Sequence, residues 1–258
     1  MLDFICYPMG ALVRLLYNAV SVLDSKVFSA YSISIILSTI IFKFIVMPLT
    51  LKQTRSMKKM QEMGPQIKEL QEKYGKDPQT MQRKQMELYK EANYNPASGC
   101  LPLLIQMPIL ISFFYVLQQP VKFIFQDQAF YDSINKSFLW IKDLGFAENF
   151  IFDGNLINGL SMGMSLPFVG AAFPILAAIT GISTYLTSKM SMSGQPVMNE
   201  QQMASQKTMT VMMPIMIFVM SLNFPSGLGL YWVISNVFQL VQQYVIMHSS
   251  KKSAEELK

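Results

Sequence analysis

From Val27 to Leu51 the chain runs through 25 residues with a single charge, Lys43. A helix of that length reaches about 37 Å at 1.5 Å per residue, enough to cross a hydrocarbon core of about 30 Å with some tilt. A cation near the middle of such a helix costs roughly 2.5–3.5 kcal/mol on insertion scales. The run therefore demands a fold that shelters or wets the Lys43 face while leaving the rest of the helix in an apolar medium.

The pattern repeats. Further apolar runs lie at 101–117, 166–188, 208–224 and 227–247, and charged residues make up only 14% of the chain. Soluble domains average ~25%. The expected fold is all-α: a polytopic membrane protein with five transmembrane helices. Charge placement orients it. Residues 52–95 carry ten Lys/Arg; with Lys189, Lys207, Lys251, Lys252 and Lys258 one side holds fifteen, and the other holds five. The positive-inside rule then puts the N-terminus out and the C-terminus in.

The expected layout is one domain. Residues 1–26 form an outer interfacial segment, with a short helix from about Pro8, and the spans are 27–51, 101–120, 166–188, 208–224 and 227–247. Residues 52–95 and 189–207 are cytosolic, 121–165 is an aromatic-rich outer segment, and 248–258 is a basic cytosolic tail. The first 26 residues lack the basic start and small-x-small site of a signal peptide. Cys6 and Cys100 fall near opposite faces in this layout, so each reads as a buried apolar filler.

Residues 53–95 are rich in Gln, Lys and Glu, with Met57, Met60, Ile67, Leu70 and Tyr74 at helical spacing. Gly75 can end that helix, and Asp77-Pro78 supplies an N-cap and first helical residue for the next. This predicts a cytosolic helical hairpin whose two thin apolar stripes bury each other. Met57, Met60, Met63, Met81 and Met86 lie on it. Flexible methionines suit a surface that accepts varied apolar partners; packing within the hairpin is the alternative.

On a helical wheel, Ser32, Thr39, Thr50 and Thr54 share the face of Lys43. In the last run Trp232, Asn236, Gln239 and Gln243 share another face, and the 101–120 span contributes Gln106. Each polar group is expensive against lipid, so the economical arrangement gathers them into a wet groove. The five runs contain no Asp or Glu. A cation without a resident carboxylate in these runs points to a visiting segment that brings the anion. Two simpler readings stand beside this one. The lysine stem can snorkel toward the interface, and the span-five amides can serve ordinary interhelical hydrogen bonding.

Catalytic chemistry is poorly supplied. The one histidine, His248, precedes the basic tail, and no CxxC, HExxH, GxSxG or P-loop occurs. No catalytic residue, metal site or cofactor is expected.

Four segments in order carry a resemblance: "FKFIVMPLTLKQTRSMKKMQ" at 42–61, "NPASGCLPLLIQMPIL" at 95–110, "FLWIKDL" at 138–144 and "FPSGLGLYWVISNVFQLVQQ" at 224–243. The chain resembles the YidC/Oxa/Alb membrane protein insertases, in the short form of Gram-positive-type bacteria. The resemblance covers nearly the whole chain from about residue 4. It implies a five-helix core, a cytosolic hairpin, and a groove open to the cytosol and to lipid but closed outside. It also implies the bacterial cytoplasmic membrane, nascent membrane protein segments as clients, and the ribosome and Sec translocon as partners. The family usually carries an arginine five residues before the proline of its "PLT" motif; here that position is Lys43, five before Pro48. Lysine keeps the charge and loses the planar fork that binds carboxylates bidentately. The stretch 145–165 is longer than the family leads one to expect.

The function expected is insertion without nucleotide hydrolysis, alone or with Sec. A small-anion transporter built on Lys43 and a membrane protein assembly chaperone are the alternatives. The transporter fits less well because the chain shows no internal repeat.

Overall fold

Among the described residues helix covers most of each apolar run, because a chain in an apolar medium must satisfy its own backbone groups; in the 166–188 run it begins at Ile175, after the strand pair that includes Ala172–Phe173. The computed structural model describes residues 3–95, 101–147, 151–152, 155–156, 164–165, 172–192, 204 and 207–255. Nine α-helices appear among them: α1 (Asp3–Val20), α2 (Ala30–Glu62), α3 (Gly64–Tyr74), α4 (Pro78–Glu91), α5 (Leu101–Gln118), α6 (Gln128–Ser133), α7 (Ile175–Met192), α8 (Met213–Ser221) and α9 (Ser226–Glu255). Single π-helical turns occupy Val121–Phe125 and Thr208–Met212. Two antiparallel pairs of two-residue strands interrupt the helical pattern. β1 (Ile151–Phe152) pairs with β2 (Asn155–Leu156), and β3 (Met164–Ser165) pairs with β4 (Ala172–Phe173). The first pair flanks Asp153-Gly154, which the sequence marks as a turn, as it does Asn158-Gly159; both dipeptides and Cys100 lie outside the described residues.

By length and composition, two described helical stretches can cross a membrane, Asp3–Leu23 and Ala30–Glu62; Gln106–Gln118 and Thr208–Ser221 are shorter apolar helices. Large apolar side chains, including Ile45, Ile182, Val219 and Val241, face outward. Such an apolar exterior belongs in lipid.

The chain divides into two compact units. The first comprises Met1–Ile45, Met107–Thr184 and Pro214–Phe238; the second comprises Val46–Gln106, Tyr185–Met213 and Gln239–Lys258.

In the first unit, aromatic rings build much of the core. Phe113 stacks on Tyr231 at 4.1 Å, and Phe42 meets Phe113 edge-on at 5.6 Å. The helix α1 starts at Asp3 rather than near Pro8, and Pro8 stands inside it. Packing explains the difference: Cys6, Met9, Gly10 and Val13 form one buried face. At Gly10 the backbone of α1 touches the π turn so closely that a Cβ would lie 2.1 Å from the Phe123 carbonyl oxygen. Arg14 Nη1 donates to the Phe125 carbonyl at 3.0 Å. Cys6 is buried, as the sequence leads one to expect.

The segment 135–146 ties two helix starts together. Ser29 N donates to Ser137 O at 3.1 Å and Leu139 N to Val27 O at 2.7 Å, which holds it to the approach to α2. Phe138 and Ile141 exchange backbone bonds of 2.8 Å around a tight turn, and Leu139 takes the left-handed φ of 52°. Gly227 N then donates to Leu144 O at 2.9 Å, satisfying one of the amides that a helix start leaves unpaired. The "FLWIKDL" segment is thus a cap for α9 and a partner for α2. Lys136 stiffens it: Nζ donates to Tyr131 O at 3.0 Å, sits 4.2 Å from the Tyr131 ring centroid and 3.7 Å from Asp143.

In the second unit, α3 and α4 form the hairpin that the sequence predicts. Gly75 follows α3, Asp77 is the N-cap of α4, and Pro78 is its first residue. The end of α4 is a Schellman turn. Asn93 adopts φ 47°, Tyr94 N donates to Tyr89 O at 2.8 Å, and the two tyrosine rings meet at 5.1 Å. Met63, Ile67 and Tyr89 form the hairpin's small core. The helix α2 runs without a break from Ala30 to Glu62, so helical structure continues past residue 51 into the Gln/Lys/Glu-rich segment.

Candidate functional site

The nine polar residues predicted to share a groove fall into both units, five in the first and four in the second. In the first unit Lys43 sits half-buried on α2 between two aromatic neighbours. Phe42 meets Phe113, and Phe44 meets Phe238 at 5.3 Å. The ammonium is therefore carried by an otherwise apolar stretch of helix. Ser32 and Thr39, on its face, are fully buried. Their hydroxyls donate back to their own helix, Ser32 Oγ to Ser29 O and Thr39 Oγ1 to Ile35 O, each at 2.7 Å. Ser34 and Ser38 do the same to Tyr31 O and Ser34 O. This back-bonding satisfies each hydroxyl without a neighbour.

Asn236 on α9 is buried, and its Nδ2 donates to Ser183 Oγ and Thr184 Oγ1 on α7. Trp232, one turn earlier, is half-buried and lines a small apolar cavity with Thr180, Ile217, Phe224 and Leu228.

In the second unit Thr50 on α2 pairs with Gln242 on α9, Nε2 to Oγ1 at 2.8 Å. Gln243 Nε2 donates to Ser191 Oγ at 2.7 Å. Gln239 and Gln106 are half-buried. Two buried amide atoms of this unit, Gln53 Nε2 and Gln243 Oε1, have no hydrogen-bond partner among the described residues.

Of the five methionines expected on the hairpin, Met57 and Met60 lie instead on α2, which runs on to Glu62, and are half-buried; Met63 and Met81 are buried, and Met86 on α4 is exposed. At the hairpin turn, Asp77 Oδ1 accepts from Gln79 N and Thr80 N at 3.2 Å, and Oδ2 accepts from the Thr80 hydroxyl at 2.6 Å. The Thr80 bonds hold the Asp77 carboxyl below the usual range. On α6, burial and then Asp143 push the Tyr131 phenol up to about 12.

The sequence pattern of the 60Kd inner membrane protein family matches residues 23–254. The chain belongs to the YidC/Oxa/Alb family of membrane protein insertases. It is 39% identical over 229 residues to a membrane protein insertase YidC of Clostridium perfringens, covering 88% of this chain and 83% of that one. It is 33% identical over 258 residues to a membrane protein insertase YidC 2 of Bacillus anthracis, covering 98% and 83%. Against a YidC of Pelodictyon phaeoclathratiforme it is 38% identical over 221 residues, which is 84% of this chain and only 33% of the longer relative.

As a YidC/Oxa/Alb chain it is a membrane protein, and all four resemblance segments fall within the matched range. Sequence reasoning missed Ser183, Thr184 and Ser191 on α7, and Gln242 on α9. Small hydroxyl residues in an apolar run look like lipid-compatible filler until a neighbouring helix is known. Gln242 lies beside Gln243 but on a different face, so a wheel drawn through Asn236 and Gln239 passes it by.

Proposed function

We propose that this chain is a membrane protein insertase that helps short membrane protein segments enter the bilayer without nucleotide hydrolysis. One observation carries the reading: a half-buried lysine, Lys43, on the long apolar helix α2 of a YidC/Oxa/Alb chain. The relatives named above are called membrane protein insertases. In this reading the apolar helices α2, α5, α7, α8 and α9 are the five spans. The hairpin of α3 and α4 is cytosolic, and the N-terminus lies outside.

The physics is a barrier argument. Inserting an apolar helix is downhill; moving its polar outer end across the core is costly. A wet, cationic half-channel shortens the dry path and offers acidic client residues a counter-charge at Lys43. Lysine acts there as a point charge rather than a bidentate clamp. An inside-negative potential adds ~2.3 kcal/mol per charge per 100 mV in the outward direction for acids. The hairpin, with Met86 exposed, and the end of α2, with Met57 and Met60 half-buried, receive the arriving segment. The ribosome and the Sec translocon are the partners, and the basic tail meets ribosomal phosphates.

The test is reconstitution of the purified chain in liposomes. A short membrane protein released from ribosomes should insert without nucleotide. Insertion no faster than in empty liposomes would refute the reading, and uptake of a small anion instead would make the chain a transporter.

A further inference from the structure

The bonds around Asn236 have a direction. Asn236 Nδ2 lies 3.0 Å from Ser183 Oγ and 3.0 Å from Thr184 Oγ1. Both hydroxyls donate to one carbonyl of their own helix, Thr180 O, at 3.1 and 2.7 Å. A hydroxyl has one hydrogen and two lone pairs. With the hydrogen directed to the α7 backbone, each presents a lone pair to α9. A single donor atom that serves both acceptors needs two hydrogens, and the NH2 of Asn236 provides them. All three side chains are buried.

A second observation concerns the same helix pair. Gly229 stands two turns before Asn236 on α9, and a Cβ there would lie 3.2 Å from Leu176 Cδ2 and 3.6 Å from Thr180 Oγ1. The two helices approach closely because that position has no side chain. Within the second unit α7 and α9 meet again, through Gln243 and Ser191, each seven residues beyond Asn236 and Thr184.

We propose that Asn236 is a positioning residue that locks α7 to α9, so that a client segment passes along this pair without parting it. The proposal rests on the insertase reading. Parting the helices would leave an amide and two hydroxyl lone pairs facing hydrocarbon. An apolar client segment brings no group to replace them, whereas it meets no such obstacle on faces that lack interhelical hydrogen bonds.

The experiment uses the full chain in liposomes with Cys6→Ala and Cys100→Ala, carrying Thr180→Cys and Gly229→Cys. Oxidation should cross-link α7 to α9 nearly completely, and insertion should stay within about twofold of the reduced sample. Loss of insertion on oxidation, restored by reductant, would show that clients part the pair and would overturn the lock. Failure to cross-link would overturn it as well, since the contact would be absent. The reduced and unsubstituted proteins run alongside: no insertion by either refutes the insertase reading and leaves the lock to a second measurement. That measurement is a double-mutant cycle of thermal midpoints. Asn236→Leu and the paired Ser183→Ala, Thr184→Ala should shift the midpoint non-additively, and additive shifts would refute the lock.

Discussion

Ser226 meets Phe146 twice: its amide and its hydroxyl both donate to the Phe146 carbonyl, at 2.8 and 2.7 Å. The contact spans 80 residues of sequence. It anchors the first turn of α9 to the end of the segment that also grips the approach to α2. Removing the hydroxyl leaves the amide bond in place, so no buried acceptor is orphaned. Ser226→Ala should therefore cost only one net hydrogen bond, about 0.5–1.5 kcal/mol. The check is the thermal midpoint in detergent, and an unchanged midpoint would show that the hydroxyl contributes nothing.

Gly10 tests the docking of α1. A methyl group there would meet the Phe123 carbonyl oxygen at 2.1 Å. Backbone cannot yield as a flexible side chain can, so Gly10→Ala should cost at least the ~1–3 kcal/mol of overpacking and lift α1 from the π turn. In a Cys100→Ala background, Cys6, now 1% exposed, should then react with a maleimide that does not label it while Gly10 is kept. Continued protection of Cys6 in the folded variant would mean that α1 tolerates the side chain.

Asp77 makes the hairpin sensitive to acid. Its carboxyl is held below the ordinary carboxylate range by the Thr80 bonds. A depressed folded-state pKa means that the stabilisation is fully present above the unfolded value. It is lost as pH falls through the folded value. Amide exchange across residues 78–91 in the full chain should therefore accelerate as pH drops below the usual carboxylate range, beyond the intrinsic pH effect. Asp77→Asn keeps a capping oxygen and should abolish that excess. Equal pH dependence in both proteins would remove Asp77 from the account.

Lys43 tests the counter-charge. An ion pair at 6 Å with an effective dielectric of about 40 is worth ~1.4 kcal/mol, about tenfold in rate. Lys43→Arg should retain insertion of clients with acidic outer segments, and Lys43→Leu or Lys43→Gln should slow it about tenfold. Clients with neutral outer segments should be less affected. Equal insertion by Lys43→Leu at equal expression would sink the point-charge role.

Local chemistry was legible from the sequence. The turn at Gly75, Asp77 and Pro78 depends on residues within four positions of one another, and the structure has it as the spacing predicts. The hydroxyls of Ser32 and Thr39 are the counter-example. The wheel puts them beside Lys43, yet their hydrogens go to carbonyls three and four residues back. Periodicity ranks faces; it does not say whether a hydroxyl looks outward or folds onto its own helix. The start of α1 was misplaced for a related reason. Proline is a strong local signal, but burial of Cys6, Met9 and Val13 carried the helix through Pro8.

The sequence by itself determined the class of molecule. Runs of about twenty apolar residues with almost no charge favour helices that satisfy their own backbones in an apolar medium, and ordered motifs place the chain in its family. Tertiary structure decided the partners. Whether Asn236 meets Ser183, Thr50 meets Gln242 or Ser226 meets Phe146 depends on which helix stands opposite and at what height. That choice is made by close approaches such as Gly10 on Phe123 and Gly229 on Leu176, which no single run of residues contains.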